Sequence, residues 1–140
     1  MAELSISAII CKNTREQYLG AAFDSLLAQT LTDIEVIVVD NASTDATAEI
    51  VQQRLSDTRL QYVYEPTLGL SSARNTGAKM ATGDILAYLD DDAVASPQWL
   101  ASLLAVYQTN DKVAIAGGKV TLLWPPGVVN PPAWLSAALA

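Results

Sequence analysis

The sequence has no histidine, a single cysteine and few basic residues, and each shortage excludes a class of function. The 140 residues include 8 Lys and Arg against 15 Asp and Glu, for a formal net charge of −7. Without histidine the chain cannot carry a Ser-His-Asp triad, a His-ligated zinc or a His-ligated haem. The lone Cys11 excludes an internal disulfide and a CxxC site. The basic deficit argues against nucleic-acid binding, which needs cations against the phosphates.

Long apolar runs and a leader sequence are also missing. No stretch approaches the ~18 uninterrupted apolar residues of a membrane span. The N-terminus lacks the basic segment and apolar core of a signal peptide. Hydrophobic residues nevertheless make up 51% of the chain, and domains of ~100–150 residues are long enough for a real core. We therefore expect a cytoplasmic domain, peripheral to the membrane in the full-length protein.

Apolar runs of strand length alternate with helical patterns along the chain. The patterns predict strands at 4–10, 35–39, 61–64 and 85–89, helices at 16–29, 43–55, 71–81 and 96–108, and closing apolar segments at 113–116 and 120–124, the last as a strand. Continuous apolar strands between helices are typical of a parallel sheet buried on both faces. The predicted fold class is α/β.

Four residues or pairs are candidates for ending or starting these helices. Thr14 with Gln17 has the capping-box spacing, and Ser43 or Thr44 is placed to cap the second helix. Gly83 is placed to end the third helix, and the Ser96–Pro97 pair to open the fourth.

The composition changes after Trp124, where four of the six prolines fall. Such a segment cannot form regular structure. We therefore divide the chain into a domain at 1–124 and a Pro-rich arm, or the start of a further region, at 125–140.

Polar residues follow three of the predicted strands. They are the run Cys11 to Thr14, the pair Asp40 and Asn41, and the triplet Asp90 to Asp92. Ligands of open parallel sheets bind outside the carboxyl ends of the strands. We expect these side chains to converge at one edge of the sheet.

The Asp triplet is the sharpest of these features. Two unit charges ~4 Å apart repel by about 4 kcal/mol at an effective dielectric of ~20, so the triplet needs a cation, hydrogen-bond donors or a raised pKa. If the extended backbone continues, Asp90 and Asp92 project the same way, which suits two oxygen contacts to a hard cation. The alternative is a solvated loop in which one Asp caps a helix.

Three further residues have two interpretations each. Asp40 either binds a ligand or caps the following helix. Arg74, early in a predicted helix, either meets an anion or pairs on the surface with Asp84 or Glu65. Lys12 faces either phosphate or solvent, and solvent is slightly favoured. We interpret Cys11 as a small buried apolar residue.

In combination, four motifs closely resemble the N-terminal half of a family 2 glycosyltransferase with the GT-A fold. They occur in that family's order and spacing over roughly residues 4–120: Ile6-Ser-Ala-Ile-Ile10, Val38-Val-Asp-Asn-Ala-Ser-Thr-Asp45, Gly69-Leu-Ser-Ser-Ala-Arg-Asn-Thr-Gly77 and Ala81-Thr-Gly-Asp-Ile-Leu-Ala-Tyr-Leu-Asp-Asp-Asp92. One motif alone is weak, but four in register are a specific signal.

The resemblance implies a nucleotide-diphospho-sugar donor, bound with Mg²⁺ or Mn²⁺, and inverting transfer to an acceptor hydroxyl. It makes residues 1–124 a partial nucleotide-sugar-binding domain, with 125–140 either a Pro-rich arm or the start of the acceptor region. Asp40 resembles the residue that contacts the base, and Arg74 the arginine near the nucleotide. The triplet resembles the D-x-D element, with Asp92 and Asp90 as metal ligands and Asp91 or Asp90 near the ribose or sugar.

The first loop departs from the family pattern. Cys11-Lys-Asn-Thr14 stands in place of the usual Pro-Thr-Tyr-Asn. The resemblance still places Lys12 and Asn13 among the nucleotide-sugar-binding residues, but the identity of the base does not follow from this loop.

The sequence contains no candidate for the base that must deprotonate the acceptor. No Asp or Glu follows Asp111, whereas the family's acid lies beyond D-x-D. We expect a truncated donor half that is inactive by itself, with the acceptor (saccharide, lipid-linked or protein) bound elsewhere. The alternative is a catalytically incomplete nucleotide-binding or interaction module. An uncovered strand at Val120–Trp124 predicts self-association, because exposed strand edges invite pairing.

Overall fold

Four strands and four helices alternate along the part of the chain that the computed structural model describes, residues 3–12, 16–124 and 127. The strands are β1 (Ile6–Lys12), β2 (Glu35–Asp40), β3 (Leu60–Tyr64) and β4 (Ile85–Asp90), and the helices are α1 (Glu16–Leu27), α2 (Thr47–Gln52), α3 (Leu70–Met80) and α4 (Trp99–Thr109).

The strands form one parallel sheet in the order β3-β2-β1-β4. The α/β fold class and the parallel sheet are therefore confirmed. The chain builds outward from β1 to β3 and then returns to the other side of β1 with β4. Such a reversal of strand order opens a crevice at the carboxyl ends of β1 and β4, where ligands of these folds bind.

The two inner strands are sealed on both faces. Their residues Ile6, Ala8, Ile10, Val36 and Val38 pack with α1, α2 and α4, whereas Ile9, Ile37 and Val39 pack with Ala73 of α3. We call these the α1 face and the α3 face. The predicted burial on both faces is thus confirmed for β1 and β2, where the apolar runs are continuous.

Strand β4 does not follow that prediction. Its residues alternate between buried and exposed, and Leu86 and Tyr88 are each 39% exposed on the α3 face. Helix α3 packs on β1 and β2, so this face of β4 lacks the cover that the inner strands have. An apolar run alone does not reveal which strand a helix will cover.

Two glycines permit close backbone approaches. A Cβ on Gly77 of α3 would lie 2.6 Å from Cγ2 of Ile9, so the missing side chain lets α3 settle on β1. A Cβ on Gly83 would lie 2.6 Å from the backbone nitrogen of Ser7. The predicted helix-ending role of Gly83 is wrong, because α3 ends at Met80 with Ala81 extended. Gly83 instead allows the chain before β4 to lie directly against the backbone of β1 at Ser7.

The predicted caps of α2 and α4 are also wrong. Helix α2 begins at Thr47, later than Ser43 or Thr44 would place it, and Ala46 precedes it without a side-chain cap. Ser43 instead belongs to a short turn after β2, in which its N–H donates to Asp40 Oδ1 at 2.9 Å. Helix α4 begins at Trp99, whose N–H is 3.0 Å from the Ser96 carbonyl oxygen. The Thr14 capping box lies outside the described residues.

Residues 113–124 form no strand, so the predicted strand at Val120–Trp124 is wrong. A strand requires a backbone partner, and none of the described strands pairs with this segment. Its side chains are largely exposed, Val120 by 86% and Ile115 by 90%. Self-association through a strand at Val120–Trp124 therefore lacks its structural basis, and the outer strands of the described sheet are β3 and β4. Residues 125, 126 and 128–140 lie outside the described residues.

Within the described ranges, no helix has the length and apolar character needed to cross a bilayer.

Candidate functional site

The polar ends of β1, β2 and β4 meet at one edge of the sheet. In the strand register Lys12 lies beside Asp40, and Cys11 lies beside Asp90. The predicted convergence is confirmed for these residues, while Asn13 lies outside the described part of the chain. We call this edge the carboxyl edge.

Lys12 is buried completely, and its Nζ is 3.5 Å from Asp45 Oδ2 and 3.9 Å from Asp91 Oδ2. The expectation that Lys12 faces solvent is therefore wrong. Because Cys11 packs on the α3 face, the next residue of the strand projects to the α1 face, where the ammonium meets acids from two separate loops.

Asp45 is a site residue that sequence reasoning missed. Its Oδ1 accepts hydrogen bonds from the backbone N–H of Thr47, at 3.1 Å, and from the Thr47 hydroxyl. Burial opposes ionisation, but the Thr47 hydrogen bonds and the charge of Lys12 outweigh it and hold the pKa of Asp45 below its usual value. The signal was its place at the end of the second family motif, but no spacing rule connects it to Lys12.

Asp40 is 3% exposed, and both of its carboxylate oxygens accept hydrogen bonds within the protein. The Tyr62 hydroxyl donates to Oδ2 at 2.6 Å, and the Ser43 N–H donates to Oδ1 at 2.9 Å. Burial, together with the hydrogen bond to Asp40, raises the pKa of Tyr62. Asp40 thus closes the turn after β2, and does not cap α2 directly. Tyr62 is a second residue that the sequence did not indicate.

Asn41 fixes the loop that leads into α3. Its Nδ2 donates to the carbonyl oxygens of Glu65 (3.1 Å) and Thr67 (2.7 Å), and its Oδ1 accepts from the Gly69 N–H at 2.9 Å. Gly69 precedes α3 with φ +136°, a conformation that favours glycine. The end of β2 therefore determines where α3 starts.

Arg74 lies on the α3 face, beside the exposed side of β4. Its Nη2 is 3.5 Å from Asp90 Oδ1, and its guanidinium carbon is 5.7 Å from the centre of the Tyr88 ring. The side chains of Arg74 and Asp90 are 44% and 71% exposed. This is a solvent-accessible ion pair at the mouth of the crevice.

The surface partners suggested for Arg74 are wrong. The Asp84 carboxylate accepts hydrogen bonds from the backbone and hydroxyl of Ser5, and Glu65 accepts one from the Thr76 hydroxyl. Both acids stabilise local structure, whereas the strand register carries Asp90 to the arginine.

The acidic triplet does not continue the strand. Strand β4 ends at Asp90, and the Ala93 N–H donates to the Asp90 carbonyl oxygen at 3.1 Å, which closes a turn over Asp91 and Asp92. The extended backbone therefore does not continue past Asp90, and the prediction that Asp90 and Asp92 project the same way loses its basis. We call residues 90–93 the acidic turn.

The donor set of the acidic turn suits a hard divalent cation in one respect. Asp90 and Asp92 are exposed carboxylates, and oxygen is the ligand atom that Mg²⁺ and Mn²⁺ prefer. Among the described residues, no group of three His, Cys, Asp or Glu side chains is placed to hold a metal. A cation here would draw its other ligands from phosphate and water, as Mg²⁺ commonly does.

A cleft of about 270 Å³ lies between the carboxyl end of β1 and the first turn of α3. It is lined by Cys11, Lys12, Asn41, Leu68, Gly69, Leu70 and Ala73. Burial raises the pKa of the Cys11 thiol to about 11, so that it is protonated at neutral pH. Cys11 is only partly buried, and it packs against the small apolar cluster as expected.

The strand order reverses between β1 and β4, and this topological switch point, which lies beside the acidic turn, is where ligands of open parallel α/β sheets bind. Residues 7–122 match the family described as Glycosyl transferase family 2. This chain belongs to that family, and the resemblance carried by the four motifs is confirmed.

Two relatives illustrate the match in sequence. An uncharacterized glycosyltransferase of Nostoc sp. is 35% identical over 114 residues, which cover 80% of this chain and 35% of the relative. The glucosyl-dolichyl phosphate glucuronosyltransferase of Haloferax volcanii is 30% identical over 125 residues, which cover 86% of this chain and 40% of the relative. The chain thus spans well under half the length of either relative.

Two solved structures share the fold. Residues 1–349 of S. aureus TarS in complex with UDP have a TM-score of 0.70 at 28% identity, over 76% of this chain and 32% of that TarS fragment. The mannosyltransferase PcManGT from Pyrobaculum calidifontis, in complex with GDP-Man and Mn²⁺, has a TM-score of 0.64 at 27% identity, over 71% of this chain and 33% of that protein. The Rossmann-like GT-A architecture is therefore confirmed as a partial domain.

Proposed function

We propose that this chain is the donor-binding portion of an inverting family 2 glycosyltransferase, which binds a nucleotide-diphospho-sugar at the carboxyl edge together with Mg²⁺ or Mn²⁺. The observation that carries the proposal is the meeting of Lys12, Arg74 and the acidic turn at the switch point. TarS with UDP and PcManGT with GDP-Man and Mn²⁺ support the ligand class.

The exposed residues have the more direct proposed roles. Arg74 is free to turn its guanidinium from Asp90 toward a phosphate, because both side chains are exposed and such a pair is worth no more than about 1 kcal/mol. Asp92 and Asp90 would hold the cation, which neutralises the charge on the departing nucleoside diphosphate when it is bound. Asp91 would remain near the ribose or sugar.

The first two strands have a different proposed role. Asn13 and Lys12 would line the nucleotide side of the crevice, and Asp40 would contact the base. The last contact requires that Asp40 be uncovered on binding, because its carboxylate is buried and accepts a hydrogen bond from the Tyr62 hydroxyl.

The transfer step would use a base that is not among these 140 residues. An inverting transfer needs a group that removes the acceptor proton, normally a carboxylate. No Asp or Glu follows Asp111 in the sequence. We therefore propose that this chain alone binds donor without transferring sugar.

Calorimetric titration with UDP and GDP, each with Mn²⁺ and each with EDTA, tests the proposal. One nucleotide should bind with Mn²⁺, and binding should weaken at least tenfold in EDTA. Asp92→Ala should weaken it similarly, whereas Asp111→Ala should not, because Asp111 lies near Leu4 and Ile85 at the opposite edge of the sheet. Equal affinity in EDTA would refute the metal assignment, and the absence of binding to either nucleotide would refute the donor site.

A further inference from the structure

Lys12 is the most unusual charge in the described part of the chain. It is the last residue of β1, and its side chain is completely buried. An ammonium taken out of water loses hydration that a nearby carboxylate only partly replaces. A methionine would fill the same space without that loss, so the charge calls for an explanation beyond packing.

The ammonium lies between two loops of the carboxyl edge. Asp45 Oδ2, from the turn before α2, is 3.5 Å away, and Asp91 Oδ2, from the acidic turn, is 3.9 Å away. Lys12 therefore connects β1 to the acidic turn and adds a positive charge beside it. Arg74 adds a second positive charge at Asp90 from the other face of the sheet, but its side chain is exposed and able to move.

A fixed positive charge beside a carboxylate turn acts on two ligands with opposite sign. It repels a divalent cation that approaches the turn, and it attracts a diphosphate. The turn therefore attracts a free metal ion less strongly than its three carboxylates alone would. A metal ion that arrives with a diphosphate is not penalised in this way, because the lysine attracts the diphosphate.

We propose that Lys12 is a positioning residue that holds the acidic turn through Asp91 and, as a resident counter-ion, lowers the affinity of that turn for a divalent cation in the absence of nucleotide. The inference rests on the proposed function for the identity of the ligands, and it makes metal binding at this site depend on the diphosphate.

The test measures binding of Mn²⁺ alone, by calorimetry, to the 140-residue protein and to three variants. Lys12→Met should bind Mn²⁺ roughly tenfold more tightly, because a unit charge is removed beside the turn. Lys12→Arg keeps the charge and should bind as the wild type does. Lys112→Met removes the same charge from an exposed position after α4 and should change the affinity less than twofold.

Several results would overturn the inference. These are an unchanged or weaker Mn²⁺ affinity in folded Lys12→Met, an equal gain in Lys112→Met, or no detectable Mn²⁺ binding in either the wild type or Lys12→Met. Thermal unfolding establishes that each variant is folded. If Lys12→Met does not fold, Asp45→Asn replaces it: the ammonium is then less neutralised, and Mn²⁺ should bind several-fold more weakly, so an unchanged or tighter affinity overturns the inference.

These outcomes are separate from those of the proposed function. Failure of UDP and GDP to bind the wild type with Mn²⁺ present refutes the donor site, whereas the response of Mn²⁺ alone to Lys12 decides the counter-ion role.

Discussion

Lys12 and Arg74 each bring a positive charge to an acid at the carboxyl edge, but they lie on opposite faces of the sheet. On the α1 face, Lys12 is completely buried, and its Nζ lies within 4 Å of both Asp45 and Asp91. On the α3 face, Arg74 reaches Asp90 over the part of β4 that α3 leaves uncovered. The buried ammonium is held in place, whereas the exposed guanidinium is able to move.

A substitution that disturbs the packing of α3 on β1 and β2 should have the largest effect on the free energy of unfolding. Gly77→Ala introduces a Cβ at 2.6 Å from Cγ2 of Ile9, a β-branched side chain inside the sheet. Overpacking of this kind costs typically ~1–3 kcal/mol, so we expect a loss of about 2–3 kcal/mol in urea unfolding. The control is Gly20→Ala in α1, where the nearest atom is the end of the Arg54 side chain at 3.4 Å. Equal effects of the two substitutions would contradict the close packing of α3.

The buried ion pair should give the next largest effect. Asp45→Ala removes both the carboxylate beside Lys12 and the acceptor of the Thr47 N–H. We expect a loss of about 1–2 kcal/mol, below the ~3–5 kcal/mol of a fully buried pair, because Asp91 remains beside the ammonium. Asp45→Asn keeps an acceptor for Thr47 and should lose less. A loss equal to that of Asp45→Ala would mean that charge alone matters here.

The same carboxylate gives a pH dependence of definite sign. The folded pKa of Asp45 lies below its usual value of 3.8, so its stabilisation is complete above about pH 3.8 and disappears as the pH falls through the folded pKa. The difference in unfolding free energy between wild type and Asp45→Asn should therefore be constant from pH 5 to 7 and shrink below pH 3.8. A difference that grows on acidification would show that folding raises the pKa of Asp45 instead of lowering it.

The open ion pair should give the smallest effect. Arg74→Ala and Asp90→Ala each disturb a pair whose side chains are 44% and 71% exposed. Exposed pairs contribute about 0.2–1 kcal/mol, so we expect losses below about 1 kcal/mol in the same urea experiment. A loss as large as that of Asp45→Ala would remove the distinction between the two faces.

Most of the framework of the sheet was predictable from local patterns. The β-branched run at Glu35–Val39 predicts β2 to within one residue, and the start of the Asp triplet marks the end of β4. Such patterns reflect the backbone and the hydrophobic effect, which act over short stretches of chain. The segment Val120–Trp124 has the same apolar character but forms no strand, because a strand also needs a partner that local sequence does not specify.

The candidate site was predictable as a set of positions, but its contacts were not. The ends of parallel strands meet at one edge, so Lys12, Asp40 and Asp90 were expected together and are found together. The partners Asp45 and Tyr62 were missed, since each reaches the site through a turn or a neighbouring strand whose side-chain direction follows from three-dimensional packing.

The amino-acid sequence by itself determined the alternation of strands and helices, the family, and the excess of acids at strand ends, because each depends on residue type and spacing. Only the tertiary structure decided that Lys12 is buried while Arg74 is exposed. Arg74 is exposed because α3 packs on β1 and β2 and leaves the neighbouring face of β4 uncovered. Lys12 is buried because the loops that carry Asp45 and Asp91 meet beside it, and both outcomes follow from packing between elements distant in the chain. The same acidic edge consequently has one cation held in place and one that is free to move.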